Sequence, residues 1–292
     1  MTTETSVTPG MRHACFAGLV LLASAVCYRA LLTVAGESLT VDAYAPFAFI
    51  PPVSLALIYT ERREIFSINR FWRVAVVGYV LLFTALIWAG SLSLSVRLFS
   101  AACIAAFGTC YGRAASKRAA FPLALLLGMA PMPQLWLDRS IDFLQRGSAI
   151  ATGWLFSIAN VPFSRHGLIF SLPRLDIEIA RECSGIRSSL ILLICGLVIA
   201  HLFLKAGWTK GLLAAAIIPV TIAKNGLRIF TLAMLGMYVD PSFLTGRLHR
   251  DGGGVFFALA FVALLGLIKV LRKVERIRVP ANSAVIVANP VA

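Results

Sequence analysis

Eight apolar runs, each near the length that a bilayer demands, recur along this chain and dictate what it can become. They fall near residues 15–35, 43–60, 72–90, 92–112, 119–137, 185–204, 211–238 and 254–271. A helix crossing the hydrocarbon core needs roughly 20 mostly apolar residues, because every backbone N–H and C=O must find its partner inside the segment. Composition says the same: 59% of the 292 residues are hydrophobic and 14% charged, whereas soluble domains sit at about 45–50% and about 25%. The expected fold class is an all-α polytopic membrane protein with about eight transmembrane helices, a single integral membrane domain with no large soluble part. The second run holds Pro46, Pro51 and Pro52, tolerated in a membrane helix whose freed carbonyls find other partners. The first run is too long for a signal peptide, lacks a clear small-residue cleavage site and precedes many further spans, so it reads as a helix.

The net charge of +14 would point to nucleic acid in a soluble chain. Here it sets orientation instead, and no nucleic-acid partner follows from it. With the N-terminus placed in the cytoplasm, inner segments hold 15 of the 27 Lys and Arg against 4 of the 13 acids, a balance of +11. The outer side and outer span ends keep 12 and 9, a balance of +3. Positive charge stays inside, so both termini are expected in the cytoplasm. Residues 1–137 then form the first five spans, 138–184 an extracytoplasmic cap and 185–279 spans six to eight. The tail 280–292, rich in Ala, Val, Pro and Asn, is expected to be disordered.

The cap has its own periodicity. Leu137, Ile141, Leu144, Ala151 and Leu155 recur at helical spacing while Asp138, Asp142, Gln145 and Arg146 take other faces, the pattern of a helix lying in the membrane interface. Beyond Leu168 the period drops to two. Leu175, Ile177 and Ile179 alternate with Asp176 and Glu178, and Ser171, Leu172 and Pro173 can turn a strand Gly167–Phe170 back on them. A small β-hairpin is therefore expected just before the sixth span.

Residues that carry chemistry are few. Cys15, Cys27, Cys103, Cys110 and Cys195 lie inside apolar runs with no CxxC spacing and no adjacent His, so neither a disulfide framework, nor a metal site, nor a cofactor is expected. Cys183 sits instead in Arg181-Glu182-Cys183-Ser184-Gly185-Ile186-Arg187-Ser188-Ser189, at the outer entrance to span six. A thiol beside a helix N-terminus, with Arg181 or Arg187 nearby, is favoured as the reactive thiolate. The same spacing also suits an ordinary boundary cysteine with Ser184 as helix N-cap.

A second polar cluster, Lys224-Asn225-Gly226-Leu227-Arg228, lies inside span seven. Charges within the membrane are expensive and mark function or an internal pair. Arg228 falls in the outer half and Asn225 shares its face one turn earlier, although an arginine snorkelling or tying helices together is the plainer account. The third cluster is Arg247-Leu248-His249-Arg250-Asp251, followed by Gly252, Gly253 and Gly254, at the outer entrance to the last span. Among the four histidines only His166 and His249 fall on the side of Cys183. A neutral imidazole can take a proton from a thiol and return it to a leaving amine; a polar loop with a flexible turn would look the same. What separates these readings is convergence, since three clusters from different spans fall on one side under a topology derived from charge alone.

The ordered set resembles the exosortase/archaeosortase family of membrane-embedded cysteine transpeptidases. The residues that carry the resemblance are Glu182-Cys183-Ser184-Gly185-Ile186-Arg187-Ser188, then Asn225-x-x-Arg228, then His249 before the last span. The similarity runs from about Phe121 to Lys273, and the first four spans match in general character only. It implies an active site of Cys183, Arg228 and His249 at the outer membrane face. Cys183 would attack a peptide carbonyl, His249 would serve as acid and base, and Arg228 would orient the thiolate or stabilise the oxyanion. Glu182, Arg187 and Asn225 would support that arrangement, while Ser184 and Gly185 are structural. The implied partners are C-terminal sorting signals of secreted proteins, built from a short motif such as Pro-Glu-Pro, a spanning helix and a basic tail. A membrane lipid or a polysaccharide is the candidate acceptor, and the implied setting is a bacterial inner membrane engaged in exopolysaccharide production.

Other classes fit less well. A non-enzymatic polytopic protein, such as a transporter or a membrane subunit of polysaccharide export, would line a continuous path with charge. Here the polar residues gather at one face and the inner halves are poor in them. HExxH, GxSxG and GxGD motifs are absent, so the zinc, serine and aspartyl intramembrane proteases lack their chemistry.

Overall fold

The computed structural model describes residues 8–38, 41, 44–67, 72–244 and 253–278. It divides into two compact units between Leu137 and Asp138. The tail 280–292 and the segment 245–252 lie outside the described residues.

The first unit is helical. The first apolar run forms α1 (Pro9–Val26) and α2 (Tyr28–Glu37) rather than one helix, because the backbone at Cys27 (φ −105°, ψ 20°) leaves the helical region. The second run forms α3 (Ala45–Thr60), which stays helical through Pro51 and Pro52. A short α4 (Arg62–Ile65) precedes α5 (Arg73–Ile87) and α6 (Leu92–Arg118). α6 overruns its expected end by turning at Gly112, whose φ of 86° a side chain would strain. The fifth run yields only the eight-residue α7 (Ala120–Leu127). Pro131 and Pro133 lie just beyond it; they offer no amide hydrogen and push their preceding residues out of the helical region. The core gathers Phe16, Phe66, Phe107 and Tyr111 edge to face or tilted, and His13 Nδ1 shares a 2.6 Å hydrogen bond with the Tyr111 hydroxyl.

The second unit takes up most of α8 (Gln134–Ile158) and continues through β1 (Ser164–His166), β2 (Ile169–Leu172) and β3 (Leu175–Glu178). A 3-10 turn, Arg181–Ser184, leads into α9 (Ile186–Phe203); α10 (Gly207–Tyr238), a second 3-10 turn (Pro241–Leu244) and α11 (Gly253–Arg278) complete it. Leu192 of α9, Leu213 and Ile217 of α10, and Leu264 and Ile268 of α11 form the three-helix core. At the far end of α11, the Glu275 carboxylate accepts hydrogen bonds from the Ala206 N–H (2.9 Å), the Lys205 N–H (3.2 Å) and the Thr209 hydroxyl. It thus satisfies donors that the start of α10 would leave open.

Two expectations for the cap change. The hairpin gains a third strand: the antiparallel order is β1-β2-β3, with Leu172 opposite Leu175 and His166 opposite Ile169. The turn between β2 and β3 is therefore Pro173-Arg174, and β2 starts two residues later than its expected strand. Phe170, Leu172 and Ile179 bury one face of this sheet against Phe156 of α8 and Ala233 and Met237 of α10. The helix expected to lie in the interface, α8, packs along α10. Its buried stripe is Ile141, Leu144, Gln145, Ser148, Ala149, Thr152 and Phe156, at the spacing of one helical face. A Cβ on Gly147 would lie 2.8 Å from Ile222, and one on Gly226 2.6 Å from the Ala151 Cβ. These contacts advance together along both chains, so α8 and α10 run parallel. Gln145, assigned above to a polar face, is 6% exposed.

Among the described residues five helices are long and apolar enough to cross a membrane: α1, α6, α9, α10 and α11 through Ile277. α3 and α5 are apolar but shorter, which with the broken fifth run accounts for the difference from eight. Leu21, Leu55, Leu81 and Val262 are each more than 60% exposed, a surface that water penalises and lipid tails accept. The chain is a multi-pass membrane protein.

Candidate active site

The turn carrying Cys183 ends in a residue that only glycine fits. Gly185 has φ +71° and ψ 18°, in the left-handed region, and α9 begins immediately after it. A Cβ there would sit 3.0 Å from Asn225 Oδ1 and 3.3 Å from its Cγ. The backbone conformation disfavours a side chain, and a Cβ would press on Asn225. The helix start also differs from expectation. Gly185, not Ser184, occupies the N-cap position, while Ser184 Oγ accepts from the Ile186 N–H one residue in (3.4 Å). The structure describes Glu182 and Cys183 within the backbone of the turn. His249, the expected acid and base, lies outside the described residues.

α10 supplies the wall that this turn rests on. Asn225 is 1% exposed and Lys224 7%. Asn225 Nδ2 donates to Ser148 Oγ of α8 (3.0 Å), and Lys224 Nζ donates to Ser188 Oγ of α9. Ser188 Oγ in turn donates to the Gly185 carbonyl (2.9 Å), which also receives Ser189 Oγ (2.7 Å). Thr152 Oγ1 reaches the Gly226 carbonyl at 3.2 Å across the close α8–α10 contact. The result is a continuous chain of hydrogen bonds from α10 through Ser188 to the backbone one residue beyond Ser184. Arg228, half-buried, lies one turn past Lys224 on the same helix, and Arg187, also half-buried, opens α9. Like charges at i and i+4 destabilise a helix and buried cations cost more still. A lipid-facing span gains nothing from Lys224 and Arg228; a site for a developing negative charge gains both.

The other side of the turn is pinned to α8. Gln145 Nε2 donates to the Ile179 carbonyl (2.8 Å) where β3 ends, and Arg181 pairs with Asp138 at 2.5 Å. Both partners of that pair are substantially exposed, so it orients more than it stabilises. His166 lies at the exposed end of β1. Among the described residues no three His, Cys, Asp or Glu side chains gather as a metal site would require.

Sequence reasoning passed over Ser148 and gave Gln145 and Ser188 no role at the site. A signal was present: Gln145, Ser148, Ala149 and Thr152 repeat at i, i+3, i+4 and i+7, the small and hydroxyl-bearing stripe by which membrane helices approach closely. Hydropathy alone reads that stripe as a solvated face.

The fold and the site define a class: a helical multi-pass membrane protein whose buried polar residues converge on one cysteine-bearing turn. The profile of the transmembrane exosortase family matches residues 38–266, well over half of the chain, and the chain belongs to that family, a family of transpeptidases. The match reaches back to the end of α2, beyond the Phe121 boundary read from the motifs. No curated protein and no solved structure matches.

Proposed function

We propose that this exosortase is a cysteine transpeptidase that cleaves C-terminal sorting signals of secreted proteins, with its active site on the extracytoplasmic side of the inner membrane and both termini in the cytoplasm. The Cys183 thiolate attacks the scissile carbonyl carbon. The proton that His249 takes from the thiol to form this thiolate is returned to the leaving amine as the C–N bond breaks, leaving a thioester on Cys183. Arg228, helped by Arg187, stabilises the thiolate and the tetrahedral oxyanion. Asn225 and Gly185 fix the turn, and Glu182 and Ser184 flank the nucleophile. An amine or hydroxyl group on a membrane lipid or polysaccharide then resolves the thioester by transfer, or water by hydrolysis.

The observation that supports this reading most is the constrained turn. Gly185, left-handed at no cost because it has no Cβ, lets the turn that bears Cys183 close directly onto the buried Asn225 of α10, and a buried polar side chain spent on holding a turn in an apolar setting marks function. The test is processing of a co-expressed reporter ending in Pro-Glu-Pro, a spanning helix and a basic tail. The intact protein is expected to cut it, and Cys183→Ala, Arg228→Ala and His249→Ala at equal abundance are not. The mass of the product separates transfer from hydrolysis. A cut that persists in Cys183→Ala removes the mechanism.

A further inference from the structure

A cavity of about 210 Å³ lies beside β3. Its walls are Asp176, Ile177, Glu178 and Ile179 on one side and Ile229, Leu232 and Leu244 on the other. Successive residues of a strand point to opposite faces of the sheet, so a cavity touching four in a row cannot lie under one face. It runs along the strand's edge. That edge is open among the described residues, because the sheet order β1-β2-β3 gives β3 a neighbour on one side only.

The register shows which groups face the cavity. Leu172 and Leu175 flank a two-residue turn and so form a hydrogen-bonded pair. Alternation then pairs Phe170 with Ile177, and the Ile179 N–H donating to the Leu168 carbonyl at 3.0 Å keeps the phase. Asp176 and Glu178 therefore direct their main-chain N–H and C=O groups away from β2. The Glu178 carbonyl is taken by the Ala180 N–H at 3.1 Å. Among the described residues no group meets the Asp176 N–H and C=O or the Glu178 N–H, which face the open side.

We infer that this groove binds an extended polypeptide as a fourth strand on β3. Three observations select that occupant. A row of main-chain donors and acceptors at strand spacing is met by another extended backbone. The opposite wall, Ile229 and Leu232 of α10 with Leu244, is apolar and takes alternate side chains of such a strand, while the others lie beside the exposed carboxylates of Asp176 and Glu178. Acidic residues are disfavoured at those outer positions, and apolar ones are required at the inner positions. Finally, the strand leads through Ala180 directly into the Arg181–Ser184 turn, so a peptide paired along β3 is delivered to Cys183. Taking that peptide to be the substrate upstream or downstream of the scissile bond rests on the transpeptidase reading; the binding mode does not.

The experiment uses the full-length protein in membranes and the same reporter. In a Cys183→Ala background, a photoreactive benzoylphenylalanine replacing Glu178 is expected to capture the reporter. Asp176→Pro deletes one outward N–H while leaving the ladder to β2 intact, and proline is tolerated at such an edge. It is expected to capture about tenfold less than Asp176→Ala, the effect of one main-chain hydrogen bond. Equal capture by the two variants overturns strand pairing, as does a photoproduct with lipid or with a second copy of the chain in place of the reporter. Should Asp176→Pro fail to fold, single cysteines along the reporter are scanned for disulfides with Asp176→Cys. A period of two is expected, and a helical period or no period overturns the proposal. Capture without cleavage by the intact protein would sink the peptidase reading and leave the groove. Cleavage indifferent to both variants would do the reverse.

Discussion

The two units of this protein treat polar side chains differently. In the first, the inner polar contacts are separate: the Ser54 hydroxyl meets the Pro122 carbonyl at 2.9 Å, Arg12 Nη1 meets the Cys110 carbonyl at 3.0 Å, and His13 meets Tyr111, while the linked contacts, such as Arg97 with Ser93 and the Pro131 carbonyl, belong to exposed side chains. In the second, Ser148, Asn225, Lys224, Ser188 and Gly185 are linked across three helices. Scattered single bonds keep a membrane helix satisfied, whereas a linked network in the same apolar setting holds one geometry at a cost that packing alone never requires. The comparison sets the second unit apart without reference to any motif.

The sharpest way to break it is Gly185→Ala against Gly78→Ala. In α5 the added methyl meets nothing within 4 Å, and stability is expected to hold or rise by up to about 1 kcal/mol. At Gly185 it meets Asn225 under a positive φ, and reporter processing is expected to fall about 100-fold, the cost of a reacting group moved by an ångström. Equal effects at the two glycines would erase the distinction between the units. Lys224→Met comes next. Removing a buried charge for an apolar chain of similar length leaves stability unchanged or higher, yet Ser188 loses the donor that fixes it, and processing is expected to drop about tenfold. Loss of both together, read by melting in detergent, would make Lys224 an ordinary structural residue. Gly226→Ala forces α8 from α10 and is expected to cost about 1–3 kcal/mol, with processing declining in proportion to folded protein. Smallest is Arg181→Ala. The exposed pair with Asp138 is worth less than about 1 kcal/mol, so a large stability change there would show the turn to be held from α8 rather than from α10.

The same contrast explains what could be read in advance. Motif residues with no apolar rationale, Gly185, Lys224 and Arg228, stood out from their surroundings and led to the second unit. Span boundaries in the first unit did not, because Cys27 and the Pro131–Pro133 pair interrupt runs whose hydropathy is continuous. β1 was missed for a different reason. Ser164, Arg165 and His166 have none of the branched or aromatic character of a strand, and they pair because Gly167, with φ +65°, turns the chain back onto β2. Gln145 was assigned outward by polarity, when a second helix with matching small residues made inward the cheaper direction.

Glu275 has a mechanical consequence. By holding the first residues of α10 it clamps one end of α11, and a helix is a rigid rod at these lengths. Gly253 begins that rod 22 residues away, roughly 33 Å at ~1.5 Å per residue. Where the chain re-enters after Leu244 is therefore set from the opposite end of the bundle. The Glu275 carboxylate thus fixes where Gly253 stands from about six helical turns away.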